Sequence, residues 1–277
     1  MPSQSDLIGD HPSAPNQFQR WLLCNDVPVT LDKIHRALSS KIATEDIDLI
    51  EWLARQLIKH HHPDYHLDML KEKYGQLGFP LYAEQNRKLP RADKTKKGNG
   101  AEVILIEYIC SSLDTELLKA FKLKYNPNVD QAMKGDDSLI VKLFNEEGKD
   151  QVKVYFGEAK FRATPSKAVI EEIINSLGKD KKPLSYSFLI AELARDPNTI
   201  DFAKRLDKFI IDEIKGNNDL IYTGLLLSNT DTFNKVEEHL SSDNQSFLFI
   251  SIGIENPENL ISKAFEKAEE IILGGQI

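Results

Sequence analysis

Two stretches of the 277-residue sequence set acidic and basic side chains inside apolar, β-branched runs: residues 133–141, around Asp136 and Asp137, and residues 152–161, around Glu158 and Lys160. Both read as strands, and residues 145–150 between them have turn composition, so an antiparallel hairpin is expected. With the turn centred between Glu147 and Gly148, Phe144 pairs with Gln151, and the same register carried back sets Asp137 opposite Glu158. Lys160 shares the face of Glu158, because side chains two apart on a strand point the same way. Directly opposed residues have Cβ atoms about 5 Å apart, where two carboxylates repel unless a cation lies between them. The spacing therefore asks for a hard divalent ion, Mg²⁺ or Mn²⁺, able to hold a phosphodiester and lower the pKa of an attacking water. Lys160 beside it would orient that water or offset charge in a phosphorane-like transition state. Asp136 points to the opposite face and is set aside in favour of Asp137. A slip of one residue would turn Asp137 away and dissolve the arrangement.

Gly135-Asp136-Asp137 ahead of an apolar strand, with Gly157-Glu158-Ala159-Lys160 at the end of the next, resembles the core of the PD-(D/E)xK nuclease superfamily. The resemblance implies that the acid of the first strand and the E-x-K of the second bind the metal and activate water. By position these are Asp137, Glu158 and Lys160, with the Ala159 carbonyl as a further metal ligand. Such folds often add a glutamate from a preceding helix. Gly98-Asn99-Gly100-Ala101-Glu102, opening an apolar helical run, supplies Glu102, and Glu107 is the competing carboxylate on the same helix. The wider layout, with a basic loop before the glutamate helix, is similar to the HamA family, nuclease subunits of the Hachiman anti-phage defence system. That similarity implies DNA as substrate and a HamB-like helicase partner that restrains cleavage until aberrant DNA is engaged.

An E-x-K by itself is more often a surface ion pair of little energetic value, and only its combination with the opposed aspartate and upstream glutamate favours chemistry. The rival from another class is a non-catalytic interaction subunit that keeps the nuclease-like fold as a scaffold for a partner or DNA.

A net charge of −8 argues against indiscriminate binding to a polyanion. The local exception is the run Arg87, Lys88, Arg91, Lys94, Lys96 and Lys97, expected as an exposed loop that meets a phosphate backbone. Arg162 and Lys167 can also touch phosphate, although surface placement is the plainer expectation. Composition, 41% hydrophobic and 28% charged, is that of an ordinary globular protein. No apolar run approaches the roughly 20 residues that span a bilayer, and the polar N-terminus lacks a signal-peptide core, so a cytoplasmic protein without membrane contact is expected. Two cysteines, Cys24 and Cys110, offer no metal or disulfide framework and are expected to be buried.

The positioning elements point to an α/β fold: a mixed central sheet flanked by helices, a restriction-endonuclease-like core over residues 87–277, with a smaller mixed N-terminal subdomain over 17–86 and a flexible lead-in over 1–16. Residues 18–24 are expected as a strand, Thr30 to Lys33 as the start of a short helix, and Ile47, Ile50, Leu53, Ala54 and Leu57 as one face of a longer one. His60-His61-His62 invites a zinc hypothesis, but three consecutive imidazoles splay on a helix, so a solvated helix end stopped by Pro63 is favoured. A helix is expected to open at Ala101. Further helices are expected after Ser166, from Ile200 to Ile214, from Thr232 to Leu240 and from Pro257 to Ile272. The near-continuous apolar runs 220–227 and 247–254 suit strands covered on both faces.

Overall fold

The computed structural model describes residues 1–63, 66–69, 72, 81, 84–113, 117–119, 122–126, 128–131, 138–177, 186–195, 197, 199–208 and 220–273. Its strands are β1 (Leu22–Asp26), β2 (His35–Ser40), β3 (Leu118–Lys119), β4 (Ser138–Glu146), β5 (Lys149–Phe161), β6 (Leu220–Ser228) and β7 (Phe247–Gly253). They form one seven-stranded sheet in the order β1-β2-β7-β6-β5-β4-β3. The four adjacent strands β2, β7, β6 and β5 run parallel, while β1 and the β4–β3 flank pair antiparallel. This is the mixed α/β sheet that the apolar runs called for.

Helices cover both faces. On one side lie α1 (Gln4–Ile8), α2 (Gln17–Trp21), α3 (Ile47–His61), α4 (Asp93–Leu113) and α9 (Pro257–Leu273), whose apolar side chains share a core with Tyr155, Ala159 and Phe161 of β5. On the other lie α5 (Lys167–Ser176), α6 (Tyr186–Leu193), α7 (Ile200–Leu206) and α8 (Thr232–His239), packed against Val154 and Phe156 of the same strand. The alternation along β5 is what a strand buried on both faces requires.

The β4–β5 hairpin has the expected register, from Glu146↔Lys149 through Phe144↔Gln151 to Ser138↔Gly157. Its two-residue turn puts Glu147 at φ 51° and Gly148 at φ 81°, as a tight right-twisted hairpin demands. Gly157 and Gly224 let the layers close. A Cβ at Gly157 would run into Ser138 and Leu105 of α4, and one at Gly224 would lie 2.5 Å from Ile173 of α5.

Several local expectations are corrected. Residues 18–21 are helical rather than extended: Asn16 caps α2 by accepting from the Phe18 N–H, and Phe18 and Trp21, one turn apart, are both fully buried. Thr30 to Lys33 closes as a bridged turn and leads into β2, a strand that sequence reading missed. The first residues are built in, with Leu7 and Ile8 of α1 in the core. Arg36, fully buried, ties this segment down by donating to the Gly9 carbonyl at 3.0 Å and to both oxygens of Asp26 at 2.6 and 2.8 Å. The strands between residues 22 and 40 extend the same sheet through the β2–β7 pairing. Helix α7 ends at Leu206, short of the expected Ile214, and 209–214 lie outside the described residues. Cys24 and Cys110 are half-buried, and burial pushes each thiol up to about 11.

Candidate functional site

The charged residues expected to do chemistry gather where β5 ends. A cleft of about 760 Å³ wraps that end, lined by Lys94, Lys97 and Glu102 of α4, by Lys122, by Ala159, Lys160 and Arg162, and by Glu172 of α5. Glu158 and Lys160 point to the α5 side. There Lys160 Nζ stands 2.7 Å from Glu158 Oε1 and 3.1 Å from Glu172 Oε1, with Arg162 Nη2 3.3 Å from the other Glu172 oxygen. Half-burial disfavours the charged form of Lys160, but the two carboxylates outweigh it and hold the ammonium above its ordinary range. Gly224, paired with Glu158 in β6, adds no side chain beside that carboxylate.

Glu102 approaches from the other layer. It lies well inside α4 rather than in its first turn, because the helix starts at Asp93 instead of Ala101. The expected basic loop is therefore largely helix, and Gly98 and Gly100 sit within it. Gly100 is required by close packing: a Cβ there would lie 2.6 Å from Ile261 of α9. The Glu102 carboxylate meets Lys122 Nζ at 3.3 Å, with side chains only 7% and 9% exposed. The cleft thus meets two carboxylate–ammonium pairs, Glu102–Lys122 on its wall and Glu158–Lys160 through Lys160, one contributed from each side of the sheet.

Asp137, with its neighbour Asp136, lies outside the described residues. Among the described residues no three His, Cys, Asp or Glu side chains converge as a metal site. Glu107, the competing carboxylate on α4, faces away from the cleft and accepts from His60 at 2.8 Å. The basic run divides. Lys94 and Lys97 line the cleft, and Lys97 pairs with Asp93 at 2.7 Å and Glu258 at 2.6 Å. Arg87 and Lys88 line a separate pocket beside His62, Arg87 pairs with Glu269, Arg91 pairs with Glu84, and Lys96 lies over the Phe265 ring. Lys167 keeps its surface place beside Glu171.

Sequence reading missed Lys122 and Glu172. Lys122 sits in a short 3₁₀ turn, Lys122–Tyr125, whose sequence shows no clear period, and Glu172 looks like any polar residue of an amphipathic helix. The histidines also differ from expectation. His60, His61 and His62 are all buried at the end of α3, where His61 donates from Nδ1 to the Leu57 carbonyl and accepts from Asn99 at 2.9 Å. They form a helix–helix contact instead of a solvated end.

The fold and cleft together define a mixed-sheet α/β protein with a charged site at the end of a central E-x-K strand. The chain belongs to the HamA family: the family model described as HamA matches residues 15–268. It is also 35% identical over 284 residues to the Hachiman protein HamA of Bacillus cereus, covering 99% of this chain and 98% of that protein. No helix among the described residues is long and apolar enough to cross a membrane.

Proposed function

We propose that the chain is a Mg²⁺- or Mn²⁺-dependent deoxyribonuclease of the PD-(D/E)xK type, the effector of a Hachiman anti-phage defence complex with a helicase partner. The observation that carries this reading is Lys160, an ammonium shared by Glu158 and Glu172 at the mouth of the cleft that also holds Glu102. The donor chemistry suits a hard divalent ion: Glu102 and Glu158 are oxygen donors, shielded from solvent, each paired with a lysine. Asp137 is the third ligand that the sequence reading offers, drawn from the register that the hairpin keeps as far as Ser138↔Gly157. The Ala159 carbonyl is a further candidate ligand on the cleft wall.

A bound ion would supply a low-pKa water and neutralise charge on the phosphorane-like transition state. Glu102, Asp137 and Glu158 would hold it. Lys160, kept protonated by its carboxylates, orients the attacking water by hydrogen bonding and offsets charge on the nonbridging oxygens. Lys94 and Lys97 stand on the cleft wall where a backbone would pass. The acidic net charge supports delivery of DNA by a partner, because few cations remain to drive autonomous binding.

The test is cleavage of plasmid and linear DNA by the purified chain, with and without its helicase partner, in Mg²⁺, Mn²⁺ and EDTA. Glu158→Ala and Lys160→Ala are expected to lose cleavage by about 10³-fold or more while melting near wild type. Cleavage retained in both variants removes the mechanism. A wild-type complex that binds DNA but never cuts it favours the scaffold reading.

A further inference from the structure

We infer that Lys122 is a phosphate-binding residue of the cleft, held off its ligand by Glu102 until a divalent cation takes that carboxylate; the inference rests on the nuclease reading above. Lysines normally extend their ammonium into water. Lys122 instead buries it at the cleft wall, 3.3 Å from a carboxylate that is buried as well. Such a pair is a poor source of stability, because desolvating both charges offsets most of their attraction. Its position on the wall of an open cleft is better accounted for by a ligand that takes the place of one partner.

Three other cations of the cleft follow the same pattern. Lys97 is matched by Asp93 and Glu258, Lys160 by Glu158 and Glu172, and Arg162 by Glu172. A phosphodiester reaching Lys122 by itself must displace the Glu102 carboxylate, which is buried in the wall. A divalent cation entering by itself must do the reverse. When both enter, the partners exchange: Glu102 turns to the cation and Lys122 to the phosphate oxygen, so no buried charge is stranded. Cation and nucleic acid therefore raise each other's affinity, by the same factor in either order. Without a cation Lys122 is closed to phosphate electrostatically while the cleft remains open in shape.

The experiment measures binding of the full-length chain to a fluorescent oligodeoxynucleotide by anisotropy, in EDTA and in Ca²⁺ as the hard cation. Wild type is expected to bind about tenfold tighter with Ca²⁺. Glu102→Gln, which keeps the shape but removes the charge that restrains Lys122, should bind tighter than wild type in EDTA and respond less to Ca²⁺. Lys122→Ala should weaken binding in Ca²⁺ and reduce the slope of log affinity against log salt by about 0.9, the signature of one lost phosphate contact. Lys122→Arg should restore most of that slope. The proposal is overturned if Glu102→Gln binds no tighter than wild type in EDTA, if Lys122→Ala leaves the Ca²⁺ salt slope unchanged, or if wild type binds no DNA in either condition. The nuclease reading fails separately: exchange without any cleavage in Mg²⁺ removes the enzyme and keeps the coupling, whereas metal-dependent cleavage with no Glu102→Gln effect keeps the enzyme and removes the coupling.

Discussion

On one side of α4, Asn99 and Glu107 meet the histidines of α3; Glu102, which lies between them in sequence, turns instead to the cleft and meets Lys122. Both clusters are built from ionisable residues, yet the partners of their carboxylates differ. In the histidine cluster burial wins. It lowers His61 to about 4 and His62 to about 3, so both stay neutral; His61 bonds the Leu57 carbonyl and His62 bonds His66 through Nδ1, while His62 Nε2 is buried without a hydrogen-bond partner among the described residues. His60 is also lowered by burial. Burial opposes ionisation of Glu107 as well, but the hydrogen bond from His60 outweighs it and holds the carboxyl below its usual range. At the cleft each carboxylate faces a full cation, Lys122 or Lys160. A buried acid beside an imidazole is a packing device. One beside an ammonium at an open wall can exchange its partner for a ligand.

The contrast is tested most strongly by removing a charge from the dry cluster. Glu107→Ala strands His60 in the interior and is expected to cost about 3 kcal/mol in denaturant unfolding, with Mg²⁺-dependent cleavage per folded molecule unchanged. Loss of cleavage at full stability would place Glu107 in the site and collapse the distinction. Acid should expose the same cluster. Because the folded pKa of His61 lies below the unfolded value near 6.5, its contribution is present above pH 6.5 and lost as pH falls toward about 4. Melting temperature should therefore decline across that window, with about 3 kcal/mol at stake from His61. His61→Gln should flatten the decline, and an unchanged slope would mean that another group sets it. The smallest effect is expected at the cleft rim. Lys97→Gln removes pairs with two well-exposed acids and should change stability by less than about 1 kcal/mol, while weakening DNA binding. A large destabilisation there would make the rim a structural element like the histidine layer.

The hairpin was legible because its signals agree. Glu147-Gly148 suits a turn with two positive φ angles, and one register buries Leu139, Ile140, Val141, Val152, Val154, Tyr155 and Phe156. The strands β6 and β7 and the helices α8 and α9 were legible for a similar reason, as apolar runs or helical spacing that need no distant partner to be recognised. Strand β2 was not. It opens with His35 and Arg36, which look like surface residues, and they are buried only because of partners far along the chain. His35 bonds Glu237 at 2.5 Å and Ser251 at 2.7 Å, and Arg36 bonds Asp26 and Gly9.

By itself the sequence determined the mixed sheet, the register of its hairpin, and Glu158 and Lys160 on one strand face, since hydrophobic period and turn chemistry are local. Tertiary structure alone decided which cations reach the cleft, that Glu102 enters from the opposite layer, and that it meets Lys122. Those outcomes depend on where α4 begins and on how closely Gly100 lets it approach α9, and the energies involved arise between residues that are distant in the chain.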